Sequence, residues 1–167
     1  MQEGVVRGPG WRFFDLGRRL ERSRLLVTTL RAAFSVSSSI MVASAVGEFV
    51  LAGTESLVAY RRRYRTDIDI RSLIDLLVRE PSNPRSLAFQ LDRVREDLAS
   101  LPSRPEGDPS AVLIEHLASR LADVRPDSSM EATLVDVADL IAVLTRSIAS
   151  TWFSPAALGR GGSLEFR

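Results

Sequence analysis

The sequence predicts an all-α protein, a helical bundle of about six helices. Apolar residues recur at steps of three and four through most of the chain, the period of an amphipathic helix. No stretch alternates apolar and polar residues between hairpin turns, so strands are not expected. The breaks between periodic stretches are short and hold Ser, Asn, Asp and Pro, the residues that cap and stop helices.

The first helix is expected over residues 10–34, where Phe13, Leu16, Leu20, Val27, Leu30 and Phe34 make one apolar stripe. Serines at 35 and 37–39 mark a turn or an N-cap. A second helix is expected over 38–65, lined by the small residues Ala43, Ser44, Ala45, Gly47, Ala52 and Gly53, which permit close helix approach. A short amphipathic helix follows over 69–80 (Leu73, Leu76, Leu77) and stops at Pro81. Asn83 then reads as an N-cap with Pro84 at the first helical position, opening a helix to about residue 101 through Leu87, Phe89, Leu91, Val94 and Leu98. Residues 102–109 hold three prolines and a glycine and read as a linker. Asp108-Pro109 opens the next helix, ending near Val124, and Asp127-Ser128-Ser129 caps a last one over 130–153. A domain over 10–154 is thus expected between a flexible N-terminus (1–9) and a disordered tail (155–167) rich in glycine.

Length and composition bound the function. A chain of 167 residues with 45% hydrophobic and 26% charged residues can bury one ordinary core. The net charge of +1 gives no general attraction to nucleic acid or membrane, so neither partner is expected. There is no cysteine, which removes disulfides, thiolate metal sites and thiol nucleophiles. There is no lysine either; all 22 basic residues are arginine. Schiff-base and P-loop chemistry are therefore absent, and each arginine is a fixed planar donor suited to carboxylate or phosphate. No uninterrupted apolar core follows the N-terminal arginines, and the most apolar stretch is broken by Glu48, so a cytoplasmic setting is expected. His116 is the only histidine, so a His-rich zinc site or paired Glu-x-x-His motifs cannot form. No Gly-x-Ser-x-Gly elbow occurs. No catalytic residue, metal or cofactor is assigned on these grounds, and activity of the chain's own is left open.

Charge is concentrated in the second predicted helix. Residues 60–65 read Tyr-Arg-Arg-Arg-Tyr-Arg, with Glu48 and Glu55 upstream. Glu48, Glu55 and Arg62 are seven apart and line one face of a continuous helix, among apolar Val50, Leu51, Leu57 and Val58. A carboxylate placed there is expected to be partly buried and to find a cation. The first helix offers Glu21 with Arg24, and Asp15 four residues before Arg19. Tyr60 and Tyr64 share a face and could stack beneath an anion held by Arg61 or Arg62. Asn83 and Arg85 join the set if the short helix folds back. The expected site is therefore a groove where Glu21, Arg24, Glu48, Glu55, Tyr60, Arg61, Arg62, Tyr64, Asn83 and Arg85 meet with little water. The competing readings are a carboxylate-based, metal-dependent enzyme and a purely structural ionic lattice.

Three motifs resemble those of one family: Gly10-Trp-Arg-Phe-Phe-Asp-Leu-Gly-Arg-Arg-Leu-Glu-Arg22, Tyr60-Arg-Arg-Arg-Tyr64 and Asn83-Pro-Arg-Ser-Leu-Ala-Phe89. In this order they are similar to the bacterial alpha-E domain, an all-helical domain of unknown function. They fall within residues 10–101, and the later helices are compatible. Members of that family usually begin with a further N-terminal helical portion, so the chain resembles the later part of the domain. The resemblance implies a setting: such domains are encoded beside, or fused to, circularly permuted ATP-grasp proteins and transglutaminase-like peptidases. It thus implies three partners, namely an ATP-grasp ligase-like protein or domain, the missing N-terminal helical portion and a peptide ligand. The expectation is a non-catalytic helical partner domain of a peptide-synthesis or peptide-modification system, holding a peptide or anionic intermediate between glutamates and arginines.

Overall fold

A computed structural model of the chain describes residues 8–35, 40–65, 67–101 and 107–153, with the backbone alone at 40–42. Among them are seven α-helices and no strand. The helices are α1 (Pro9–Ser35), α2 (Ile40–Gly53), α3 (Leu57–Tyr64), α4 (Ile70–Ile74), α5 (Leu87–Ala99), α6 (Ser110–Asp123) and α7 (Met130–Phe153). A π-helical turn, Asp75–Arg79, continues α4. The expected disordered tail lies outside the described residues, as do residues 1–7 of the expected flexible N-terminus and most of the linker at 102–109.

The core is a four-helix bundle. Helix α1 packs on α5 and α7, and α6 closes the ring by packing on both α5 and α7. Leu20, Leu91, Leu117, Leu121, Val137 and Ile141, one or two from each rod, meet at the centre. Helix α1 forms as its sequence predicts: Leu16, Leu20, Val27 and Leu30 are buried and point one way, and Pro9 supplies the fixed φ favoured in a first turn. The remaining short helices cover one side, with α2 against α1 and α4, and α3 against α2 and α4.

Two expectations about helix ends are corrected. The continuous helix over 38–65 is broken at Thr54–Ser56. Ser56 N–H donates to Leu51 O (2.7 Å) and Glu55 N–H to Ala52 O (3.0 Å), the paired bonds that terminate a helix on a left-handed residue. Glu55 holds that position with φ 54°, where glycine is usual. Asn83 is not the cap of α5. Ser86 is, its Oγ accepting from Phe89 N–H at 3.0 Å. Asn83 instead forms a turn before the helix: its Oδ1 accepts from Arg85 N–H (3.1 Å) and its Nδ2 donates to Leu76 O (2.9 Å). The serines at 37–39, expected to mark a turn or an N-cap, lie outside the described residues.

Candidate functional site

The nominated residues do not converge. Glu21 and Arg24 pair with each other (2.6 Å) on the exposed face of α1. Glu48 pairs with Arg61 (2.8 Å) across the α2–α3 break, both of them exposed. Arg62 is exposed on α3. Tyr60 is fully buried: its hydroxyl accepts from Asp69 N–H (3.0 Å) and lies 3.2 Å from Asp67 O, anchoring the turn into α4. Tyr64 stacks on it with ring centroids 4.9 Å apart, and burial pushes the Tyr64 phenol up. The guanidinium over the Tyr64 ring is that of Arg63 (5.7 Å), which pairs with Glu80, and not that of Arg61 or Arg62. The expectation that Glu48 and Glu55 look inward fails: Glu48 lies on the exposed face of α2, and the turn at Glu55 rotates Arg62 off the shared face. Glu55 itself is exposed.

A dense ionic lattice does exist, but between α1 and α5. Asp15 is 3% exposed and accepts from Arg18 and from Arg19 (Nε to Oδ2, 3.0 Å). Arg19 also donates to Gln90 Oε1 (3.2 Å), whose Nε2 donates to Pro84 O (2.6 Å). Arg12 bonds Asp97 Oδ1 at 3.0 Å. Burial pushes the Asp15 carboxyl up, and hydrogen bonds and charge from Arg18 and Arg19 more than offset it, so it lies below the usual range. Asp97 goes the other way: burial and then the Asp15 carboxylate raise it, and Arg12 only partly opposes them. Its Oδ2 is buried and has no hydrogen-bond partner among the described residues. The sequence pointed to the Asp15–Arg19 pair and missed Arg12, Gln90 and Asp97, whose partners lie 71 and 85 residues away.

One of the nominated pairs does line a cavity. Glu55 and Arg85 form an ion pair at the mouth of a cleft of about 370 Å3 between α1, the end of α2 and the turn before α5. Arg22, Leu25 and Thr29 of α1 and Phe49, Val50 and Gly53 of α2 form its walls. Arg22 was not nominated and is the residue of most chemical interest. It makes no ion pair among the described residues, while Arg18, Arg19 and Arg85 surround it. Burial, and then those three cations, press its guanidinium below the ordinary value; only Asp15 pulls the other way. A sequence signal for it was present. Positions 22, 25, 29 and 33 are three or four apart, a second stripe on α1 beside the core stripe. Among the described residues no group of three or more His, Asp or Glu side chains is placed to hold a metal ion.

The chain matches the Alpha-E family over residues 1–153, beyond the span of the three motifs. It belongs to that family. The family is described as a predicted alpha-helical domain with a conserved ER motif, and Glu21-Arg22 is the only Glu-Arg dipeptide in this sequence. In the Alpha-E fold seen here both residues of the dipeptide are exposed: Glu21 pairs with Arg24, and Arg22 lines the cleft. Uncharacterized proteins of Mycobacterium bovis and of two Mycobacterium tuberculosis strains are each 30% identical to the chain over 150 residues. The match covers 87% of this chain and 17% of each relative, so the chain spans about a sixth of their length. No solved structure matches it. No helix among the described residues is long and apolar enough to cross a membrane.

Proposed function

We propose that this Alpha-E domain is a non-catalytic helical module that holds an anionic group of a peptide or acyl intermediate at the Arg22–Arg85 cleft. It would serve a peptide-synthesis or peptide-modification system alongside an ATP-grasp ligase-like partner. The observation that carries the reading is Arg22, a cation in a cleft with further cations around it and no carboxylate of its own. A guanidinium so placed is stabilised by an incoming carboxylate or phosphate, which it binds through two parallel hydrogen bonds. Arg85 adds a second fork, held by Glu55. Glu55 sits in a backbone conformation that costs about 1–2 kcal/mol for a residue with a Cβ. Strain of this kind beside a cleft is a mark of function. The ATP-grasp partnership rests on the family resemblance.

Two measurements test it. The side-chain Nε resonances of Arg22 and Arg85 should move saturably on titration with acetate or inorganic phosphate, and the response should vanish in Arg22→Gln. The chain should also co-purify with an ATP-grasp ligase encoded beside it. Loss of neither signal in Arg22→Gln, or no response and no complex, overturns the reading. A second reading, a purely structural lattice, is favoured at a different place by the closed hydrogen bonding of Asp15, Arg19 and Gln90. It describes the α1–α5 seam and leaves Arg22 unaccounted for.

A further inference from the structure

The cleft does not end at Thr29. It runs into a trough of about 640 Å3 between α1 and α2, lined by Thr28, Ala32, Ala33, Ala45 and Val46. Thr29, Phe49 and Val50 line both spaces, so cleft and trough form one channel. From Arg22 to Ala33 the channel follows α1 for about 16 Å, three helical turns at 1.5 Å per residue. Its floor is kept low by alanines. Its rim carries two large apolar side chains in water, Phe49 (77% exposed) and Leu25 (60%), each beside a buried neighbour, Val50 and Leu26. Exposed apolar surface of this kind, continuous with a groove, marks an interaction site.

The channel has a polarity. It is apolar along most of its length and closes at one end on Arg22. The opposite flank of α1 shows what such a surface accepts. There α5 lies against α1 with an apolar row, Leu87, Leu91, Val94 and Leu98, and delivers the carboxylate of Asp97 to Arg12 at 3.0 Å. An extended acyl chain would leave the exposed Phe49 and Leu25 uncovered, whereas a helix lying lengthwise covers both rims.

We propose that the channel between α1 and α2 receives a three-turn amphipathic helix of a partner polypeptide, apolar face down, with an acidic side chain against Arg22. The inference rests on the anion-holding reading of Arg22 and specifies the ligand: the anion is a side-chain carboxylate carried by a helix. The charge match fixes the direction in which that helix lies, and the apolar floor supplies the affinity.

The test is selection of binders to the full chain from a displayed library of helical peptides of about 14 residues, the length that fills three to four turns. Enriched peptides should carry apolar residues at i, i+3, i+4 and i+7 and an Asp or Glu near one end. Binding should fall roughly tenfold or more against Phe49→Asp, as expected for an anchor residue. Against Arg22→Gln it should fall only for peptides that keep the acid; their Gln counterparts should bind both proteins equally. Phe49 is exposed, so Phe49→Asp should melt with the parent chain, and Phe49→Ala provides a second, milder variant. No enrichment, or enriched peptides indifferent to both variants, overturns the proposal. So does saturable binding of dodecanoate with no peptide enriched, or a concentration-dependent dimer that Phe49→Asp abolishes. If no peptide binds but the acetate and phosphate response of Arg22 persists, the helix inference alone falls; if that response is absent too, both fall.

Discussion

Helix α1 has two polar flanks that were built from the same residue types and came out opposite. Toward α5, three arginines meet two buried aspartates and a glutamine, and each arginine has its partner within the domain. Toward α2, Arg22 pairs with no carboxylate among the described residues, Phe49 and Leu25 stand in solvent, and a channel remains open. One flank is finished and one is not. Charge count alone does not separate a structural lattice from a binding site; what separates them is whether the last donor has found its acceptor.

The largest break in this comparison is expected from Asp15→Ala. It removes the carboxylate that Arg18 and Arg19 share, leaving guanidinium groups half-buried without a counter-ion, and should destabilise the fold by about 3 kcal/mol or more. Arg22→Gln, seven residues on along the same helix, should leave the urea midpoint unchanged. Parallel urea titrations of the two variants check this. Equal losses would mean that the two flanks are energetically alike and that Arg22 belongs to the lattice.

The pH dependence of the closed flank gives a finer test. Asp97 has a raised value in the fold, so the folded state binds its proton more tightly than the unfolded chain does. Its contribution is fully present below the ordinary value of 3.8 and is lost as pH rises through the raised one. Asp15, held low, contributes in the opposite sense: its share is present above 3.8 and is lost on acidification through the depressed value. Asp97→Asn keeps the shape and a donor toward Asp15 while removing the titration. The stability of the variant relative to the parent should therefore rise between pH 4 and neutrality, read as a growing difference in urea midpoint. A difference that stays flat with pH would mean that Asp97 is not raised in the fold.

How much of this was readable in advance follows from what each feature depends on. Helices α1 and α7 were legible because burial repeats along them at the helical period, and Met130–Phe153 matches its expected span. The Asp15–Arg19 bond was legible because it lies within one turn of α1. The break at Glu55 was not, because the residue in the left-handed position is a glutamate where glycine would have announced it. That one dihedral misplaced the groove: it carried Arg61 back to Glu48 and took Arg62 off the face of Glu55. The Glu55–Arg85 pair spans 30 residues and needed the fold to be seen. Arg22 was visible in the motif, but its lack of a partner is a property of three dimensions.

The smallest expected effect is the most discriminating. Glu55→Gly removes a Cβ from a backbone position with φ 54° and should stabilise the domain by about 0.5–1 kcal/mol, since the strain relieved exceeds the added freedom of the unfolded chain. The ion pair lost with it is exposed and adds little. The same change frees Arg85 from its carboxylate partner, so the cleft gains positive charge and loses the group that aims the guanidinium. If the strain is kept for function, the stabilised variant should hold acetate or phosphate with altered affinity, visible in the Arg85 Nε resonance, while its thermal midpoint rises. A variant that gains stability and binds as the parent does would show that Glu55 only ends a helix, and the unfinished flank of α1 would then reduce to Arg22 and the apolar channel.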